Sequence, residues 1–211
     1  MFEAHAYFVF LATAAVLVVS PGPDTLLILS RTLASGTASG FMTLVGSQVG
    51  NVLQAVLAGV GISTVVLLFP AAFVALKFTG ALYLVYLAVQ AWRAPGTLEP
   101  QQRLSNTPLQ PARYFIQGMT SNLTNPKMIA FFIALFPQFI NPDSHSAGLQ
   151  SLILGTTLAV MAVIWIGLLV LITGRYRSSV ATNKTFLLVA NRLASVTFLG
   201  LACRVALEQR R

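Results

Sequence analysis

Charge is what this chain has least of. Only 9% of its residues are Asp, Glu, Lys or Arg, against about a quarter in soluble domains. That scarcity excludes an ordinary water-soluble domain. A hydrophobic share of 56% and a mean hydropathy of +0.78 point instead to an all-α polytopic membrane protein. Cysteine is nearly absent: Cys203 is the single one, so no intrachain disulfide and no CxxC metal or redox site can form. The net charge of +8 comes from basic residues dispersed among apolar runs rather than gathered on a face. Loop charges of a membrane protein account for them, and nucleic acid is not implied.

Catalytic signatures are missing too. No HExxH, GxSxG, P-loop or Rossmann pattern occurs, so nothing supports a membrane hydrolase, an ATPase or a nicotinamide enzyme. His5 and His145 have no second ligand nearby, so no metal site and no cofactor are expected. The first twenty residues lack a basic segment and carry Glu3 as their only charge. They read as a retained first span rather than a cleaved signal peptide.

What the chain has is apolar length. A span needs roughly 20 predominantly apolar residues, and six runs qualify: 6–33, 41–69, 71–92, 114–140, 149–172 and 186–207. The longest polar interruption, a Pro- and Gln-rich loop at 93–112, divides one transmembrane domain, 1–211, into halves of about 1–92 and 113–211. Arg93, Arg103 and Arg113 sit at that loop, and Arg175, Arg177 and Lys184 sit between the fifth and sixth spans. The segment NPDSHSAG carries only Asp143. Lys and Arg mark the cytoplasmic side, which places the amino terminus outside. Six spans return the carboxyl terminus outside as well, against which Arg210 and Arg211 argue.

Two of the spans are broken. In VLVVSPGPDTLLILS, Pro21 and Pro23 lack the N–H groups that close helical turns and clash with the turn before. The first helix should stop by about Ser20, with Ser20 or Asp24 capping a second helix. The fourth span repeats the arrangement in SNLTNPKMIAFFIALFPQF: Asn125 suits the N-cap and Pro126 the first helical position. Three spans per half require the second half to enter from the opposite side. The expected architecture is therefore an inverted 3+3 repeat with spans 1 and 4 discontinuous, their breaks meeting near the midplane. Such breaks are the best sequence-level pointer to a transporter's binding site. An isolated proline in a membrane helix only kinks it, but two matching breaks, each beside an ionisable residue, favour a site.

The breaks offer complementary chemistry. Half-helix N-termini suit a carboxylate. Lys127 adds a positive charge at the second break, and Asp24 at the first adds a negative one suited to an ammonium. Together they match a zwitterion such as an amino acid. The structural alternative is that Asp24 caps its helix and Lys127 merely pairs with it. In the second span, Gly46 and Gly50 form a small-residue face for close helix packing, within one chain or between protomers of a homo-oligomer. Gly36 to Gly40, GTASG, reads as a turn near a membrane end. Ser47, Asn51 and Gln54 form a polar stripe that serves either interhelical bonding or cavity lining. Gln117, Thr120, Ser121, Asn122 and Thr124 could line a wet vestibule ahead of the second break. Lys77, Arg192 and Arg204 lie close enough to span ends to snorkel, Arg192 being the most interior.

SPGPDTLLILSRTLASGTASGF, GALYLVYLAVQAWR and FIQGMTSNLTNPKMIAFFIALFPQFI, in this order, resemble segments of the LysE/RhtB family of bacterial amino-acid exporters. The resemblance extends over essentially the whole chain. It implies a multi-pass protein of the bacterial inner membrane that exports amino acids or derivatives. Threonine, homoserine, homoserine lactone and leucine are the cargo the resemblance implies, moved by gradient-driven exchange with protons. The family's motif residues fall here on Pro21, Gly22, Pro23, Asp24, Asn125, Pro126 and Lys127. Position 24 varies in the family, so Asp24 is no universal proton carrier there, while in this chain its protonation is the expected coupling step. The sequence looks more like the branch for neutral amino acids and homoserine derivatives than the basic branch.

The expected binding set is Asp24, Thr25, Asn51, Asn125 and Lys127, the substrate carboxylate lying at the helix N-termini and its ammonium near Asp24, Asn51 or Asn125. Export of an inorganic cation is the main alternative, though a single mid-membrane acid is a poor ligand set for a hard cation. A membrane subunit without transport activity is the other.

Overall fold

The computed structural model describes residues 4–68, 70–93, 110–140, 146–176 and 184–207, and every element among them is helical. The readings placed on Glu3, Arg103, Asp143, His145, Arg177, Arg210 and Arg211, and on the side chains of His5, Lys77, Lys184 and Arg204, fall outside the described residues. So does most of the 93–112 loop.

The prolines punctuate the chain as their chemistry requires. Helix α1 (Ala4–Val19) stops just before Pro21, and α2 (Pro23–Ser35) takes Pro23 at its first turn, where a missing N–H costs nothing. The two axes differ by 47°. The cap departs from expectation. Gly22 in extended backbone is the N-cap of α2 and, having no side chain, makes no cap bond, while the Asp24 carboxylate bonds Ser47 instead. Helix α5 (Pro111–Leu123) likewise opens on proline and stops at Thr124. There the Asn125 side chain accepts the Lys127 N–H and starts the short α6 (Pro126–Ala130). The span then continues irregularly, through a π-turn at Phe131–Leu135 and a 3-10 turn at Phe136–Phe139 that contains Pro137.

The long helices are α3 (Thr37–Leu68), α4 (Pro70–Arg93), α7 (Ala147–Tyr176) and α8 (Lys184–Leu207). Among the described residues two stretches, Thr37–Gly59 and Ala147–Arg175, are long and apolar enough to cross a membrane, and the bent α1–α2 pair makes a third if counted as one span. The GTASG reading needs correction. Gly36 alone turns the chain, at φ +91, while Thr37 already opens α3. Gly40 lies inside that helix, where its bare Cα leaves room for Thr32.

Contacts fix the helix directions. Asp24 of α2 meets Asn122 of α5, and Arg31 two turns later meets Tyr114, so α2 and α5 are antiparallel. Gly46 lies against the Phe115 carbonyl and Gly50 against that of Met119, so α3 and α5 run parallel. Gly118 lies in turn against the Thr43 carbonyl. Gly59 faces Ser151, Ala55 faces Gly155 and Thr37 faces Gly174, which makes α3 and α7 antiparallel. The Ser195 hydroxyl donates to the Ala88 carbonyl, and Arg192 lies over Trp92, which makes α4 and α8 antiparallel too. Gly46 and Gly50 thus pack helices inside the chain, as small residues do where backbones must touch.

The outer faces are apolar, and inside, beside an apolar core, runs a polar seam. On α3, Val45, Val49, Leu53 and Val56 are exposed, while Ser47, Asn51 and Gln54 are buried on the opposite face. In water that arrangement would leave a large apolar surface wet; in lipid the outward face meets its own kind. Below the break, Phe10 of α1 packs edge-on against Phe136 and Phe139, which ties the first half of the broken span to the irregular end of the other.

Candidate functional site

The two breaks are brought together, and the reason lies in the prolines. In a regular helix the Leu17 carbonyl would accept from the N–H of residue 21, but Pro21 has none. That carbonyl and the Ser20 carbonyl therefore need outside donors. The Lys127 ammonium, arriving from the other half of the chain, supplies them at 3.0 Å to Leu17 O and 2.7 Å to Ser20 O. A cation at the C-terminal end of α1 also meets the negative end of its dipole. Lys127 thus caps α1 rather than merely pairing with Asp24. An ammonium has three protons, and two are used.

Gly22 is required by this approach. A Cβ at that position would stand 3.1 Å from both Lys127 Cε and Nζ. The Asn125 side-chain nitrogen lies nearby, 3.7 Å from the same point. Asn125 is 2% exposed, its Oδ1 holds the Lys127 N–H, and its Nδ2 has no hydrogen-bond partner. Because the cap fixes which end is oxygen, the unpartnered end is a donor.

Asp24 is buried just beyond, and donors surround it. Ser47 Oγ donates to it at 3.1 Å, Ser121 Oγ at 3.0 Å and Asn122 Nδ2 at 2.8 Å. A carboxylate offers about four acceptor positions, so three donors nearly fill it. The polarity set by that carboxylate propagates along α3. Gln48 Nε2 donates to Ser47 Oγ, and Asn51 Nδ2 donates to Gln48 Oε1. Asn51 Oδ1 is left at the end of the chain, buried and without a partner. It is an acceptor because every bond between it and Asp24 runs toward the acid. Gln54 closes the seam by donating to both oxygens of Asn122.

Of the expected residues, Gly22, Asp24, Asn125 and Lys127 gather at the two breaks, and Asn51 joins through the bonded chain. Pro21, Pro23 and Pro126 shape the breaks, and Thr25 is buried next to Asp24 on α2. Asn125 offers a donor, which does not suit an ammonium. Three residues read only as stripe or vestibule, Ser47, Ser121 and Asn122, are direct partners of Asp24. Gln48 was not singled out at all. The usable signal was a polar residue next to the stripe, since Gln48 is one of few uncharged amides in an apolar run.

A helical membrane protein whose buried centre is a polar seam between two interrupted helices has the build of a membrane transporter. The family model described as LysE type translocator matches residues 15–209, and the chain belongs to that family. Its relatives include the leucine efflux proteins of Salmonella typhimurium and Klebsiella pneumoniae, each 30% identical over 204 residues, 96% of this chain and 95% of theirs. An uncharacterized membrane protein of Bacillus subtilis, YrhP, is 30% identical over 211 residues, covering 97% of this chain and all of its own. No solved structure matches the chain.

Proposed function

We propose that this protein is a secondary-active exporter of neutral amino acids, seated in the bacterial inner membrane and exchanging its substrate with protons. Family membership supports amino-acid export, and the relatives named leucine efflux protein make leucine the first cargo to test. Threonine, homoserine and homoserine lactone belong in the same panel.

The observation that carries the reading is a pair of buried, unpartnered groups of opposite polarity: Asn125 Nδ2, a donor at the meeting of the breaks, and Asn51 Oδ1, an acceptor at the end of the bonded chain that starts at Asp24. Leaving either group unsatisfied costs roughly 1–3 kcal/mol, and an α-amino acid answers both. Its carboxylate would take the third Lys127 proton, Asn125 Nδ2 and the free N–H groups at the start of α2, around Asp24 and Thr25. Its ammonium would take Asn51 Oδ1 and the remaining acceptor position of Asp24. Cation export fits less well, because the Asp24 carboxylate is already ringed by hydrogen-bond donors.

Architecture supports the six-span inverted repeat. The second and third spans of each half pack on their counterparts with reversed direction, α3 on α7 and α4 on α8, and α2 after the first break lies antiparallel to α5 before the second. Rocking of one half against the other would then expose the seam to each side in turn. Asp24 protonation is the coupling step, since a proton there removes an acceptor and lets Ser47, Gln48 and Asn51 reverse their bonds. Asn51 would then present its NH2 and release the ammonium.

Counterflow tests this in proteoliposomes loaded with a panel of amino acids and homoserine lactone, with and without a proton gradient. Saturable, gradient-sensitive exchange of neutral amino acids is expected. Silence across the panel from monodisperse protein would rule the reading out.

A further inference from the structure

Arg31 is a buried cation with no acceptor among the described residues. It lies on α2 two turns beyond Asp24 and is 6% exposed, and its Nε has no hydrogen-bond partner. Its contact is the Tyr114 ring at the start of α5, 5.7 Å from guanidinium carbon to ring centroid. A guanidinium stays protonated, and a ring face replaces only part of what it loses on leaving water. Asp24 is the only acid among the described residues; seven helical positions put it about 10 Å away, and its oxygens face Ser47, Ser121 and Asn122. Two more buried polar atoms without partners flank that contact on the antiparallel helices: Ser35 Oγ, one turn beyond Arg31 and away from the breaks, and Gln117 Oε1, one turn beyond Tyr114 and toward them. A hydroxyl can donate and an amide oxygen can only accept.

Three orphaned groups on one helix pair thus repeat the composition of the central site: a cation and a donor for a carboxylate, an acceptor for an ammonium. Arg31 and Ser35 lie toward the exposed Arg113 end of α5, the side that the positive-inside pattern assigns to the cytoplasm, and Gln117 lies between them and the breaks.

We propose that Arg31, with Ser35 and Gln117, forms a second amino-acid seat between α2 and α5, where substrate entering from the cytoplasm docks by its carboxylate before it reaches the breaks. The inference rests on the exporter reading. Arg31 acts here as a specificity residue: it admits molecules with a free carboxylate and slows those without one. Tyr114 holds the guanidinium in place by its ring, so the seat exists before the substrate arrives.

Leucine counterflow measured from the cytoplasmic face of proteoliposomes tests it, with leucinamide as the carboxylate-free competitor. Arg31→Gln removes the charge. Gln117→Glu keeps the cation but gives it a partner inside the protein, which also guards against a variant that fails to fold. Both should raise KM for leucine about tenfold, the worth of one charge-assisted hydrogen bond, with the maximal rate within about twofold of wild type. Arg31→Gln should also narrow the preference for leucine over leucinamide. Unchanged KM in both variants, with wild type exchanging leucine, overturns this inference alone. No exchange by the wild type overturns the exporter reading and this seat with it. A KM effect confined to vesicles containing phosphatidylglycerol, and lost in phosphatidylcholine alone, would assign Arg31 to lipid headgroups and likewise refute the seat.

Discussion

The two breaks look alike in sequence and differ in how they are finished. At the second, Asn125 closes α6 with its own side chain, and Thr124 bonds back to Thr120. At the first, Gly22 brings no side chain, so the opening N–H groups of α2 stay unclaimed by any cap. The carbonyls of the first break are likewise met by a residue of the second, Lys127. One break is finished locally and the other by its partner. The locally capped end offers a ligand side-chain groups, Asn125 Nδ2 and the Lys127 ammonium, whereas the uncapped end of α2 offers its backbone N–H groups as well. The carboxylate seat therefore belongs to the first break, with the second supplying its cation.

Lys127→Ala tests this dependence most severely. It removes the charge and strands the Leu17 and Ser20 carbonyls, each worth roughly 1–3 kcal/mol when buried unpaired. Export should fall below detection, and the thermal midpoint of the purified protein should drop. Lys127→Ala that still exports at half the wild-type rate would remove the residue from the mechanism. Asp24→Asn comes next. An amide keeps an acceptor for Ser121 but cannot release or bind a proton, so exchange should lose its dependence on the pH gradient while leucine–leucine counterflow persists. An unaltered gradient dependence would move coupling to another group. Asn125→Ala is milder and separates the breaks. Losing the N-cap costs about 1 kcal/mol, and losing Nδ2 should raise KM several-fold. Asn125→Asp restores the cap but puts an anion where the carboxylate docks, so its stability should recover while its KM stays high.

Much of this was legible in the residues. Proline chemistry at Pro21, Pro23 and Pro126 dictates where helices stop and start, and those boundaries are local properties. Asn125 as a cap was readable for the same reason. The direction of Lys127 was not, because its partners are carbonyls 107 and 110 positions away, orphaned by a proline in the other half. Asn122 and Ser121 were visible as polar residues in an apolar span. That they serve Asp24 depends on α2 and α5 lying antiparallel, which no short stretch encodes. The unassigned polarity of Asn51 is more distant still, since an amide's useful end is set by the whole chain of bonds leading to it. Arg31 passed unnoticed because a basic residue near a span end reads as a snorkelling one until its burial is known.

The smallest effects come from two glycines that differ in the reason they are glycine. Gly36 turns α2 into α3 at φ +91, with nothing within 4 Å of where a Cβ would lie. Gly36→Ala should therefore cost roughly 1–3 kcal/mol of stability through backbone strain alone and leave KM untouched. Gly22 has φ −131, an extended conformation that alanine adopts freely, but its Cβ would press on the Lys127 tip. The tip of a lysine can move by a few tenths of an ångström, so Gly22→Ala should hardly change the thermal midpoint. It should shift the ammonium from its carbonyls and raise KM about two- to threefold, less than one full hydrogen bond is worth. Thermal melts and leucine KM measured on both variants would show the two effects crossing, stability lost without affinity at one and affinity without stability at the other. Were Gly22→Ala to lose stability instead, Lys127 would be a cap for α1 and nothing more, and the distinction between the two breaks would be one of folding rather than of binding.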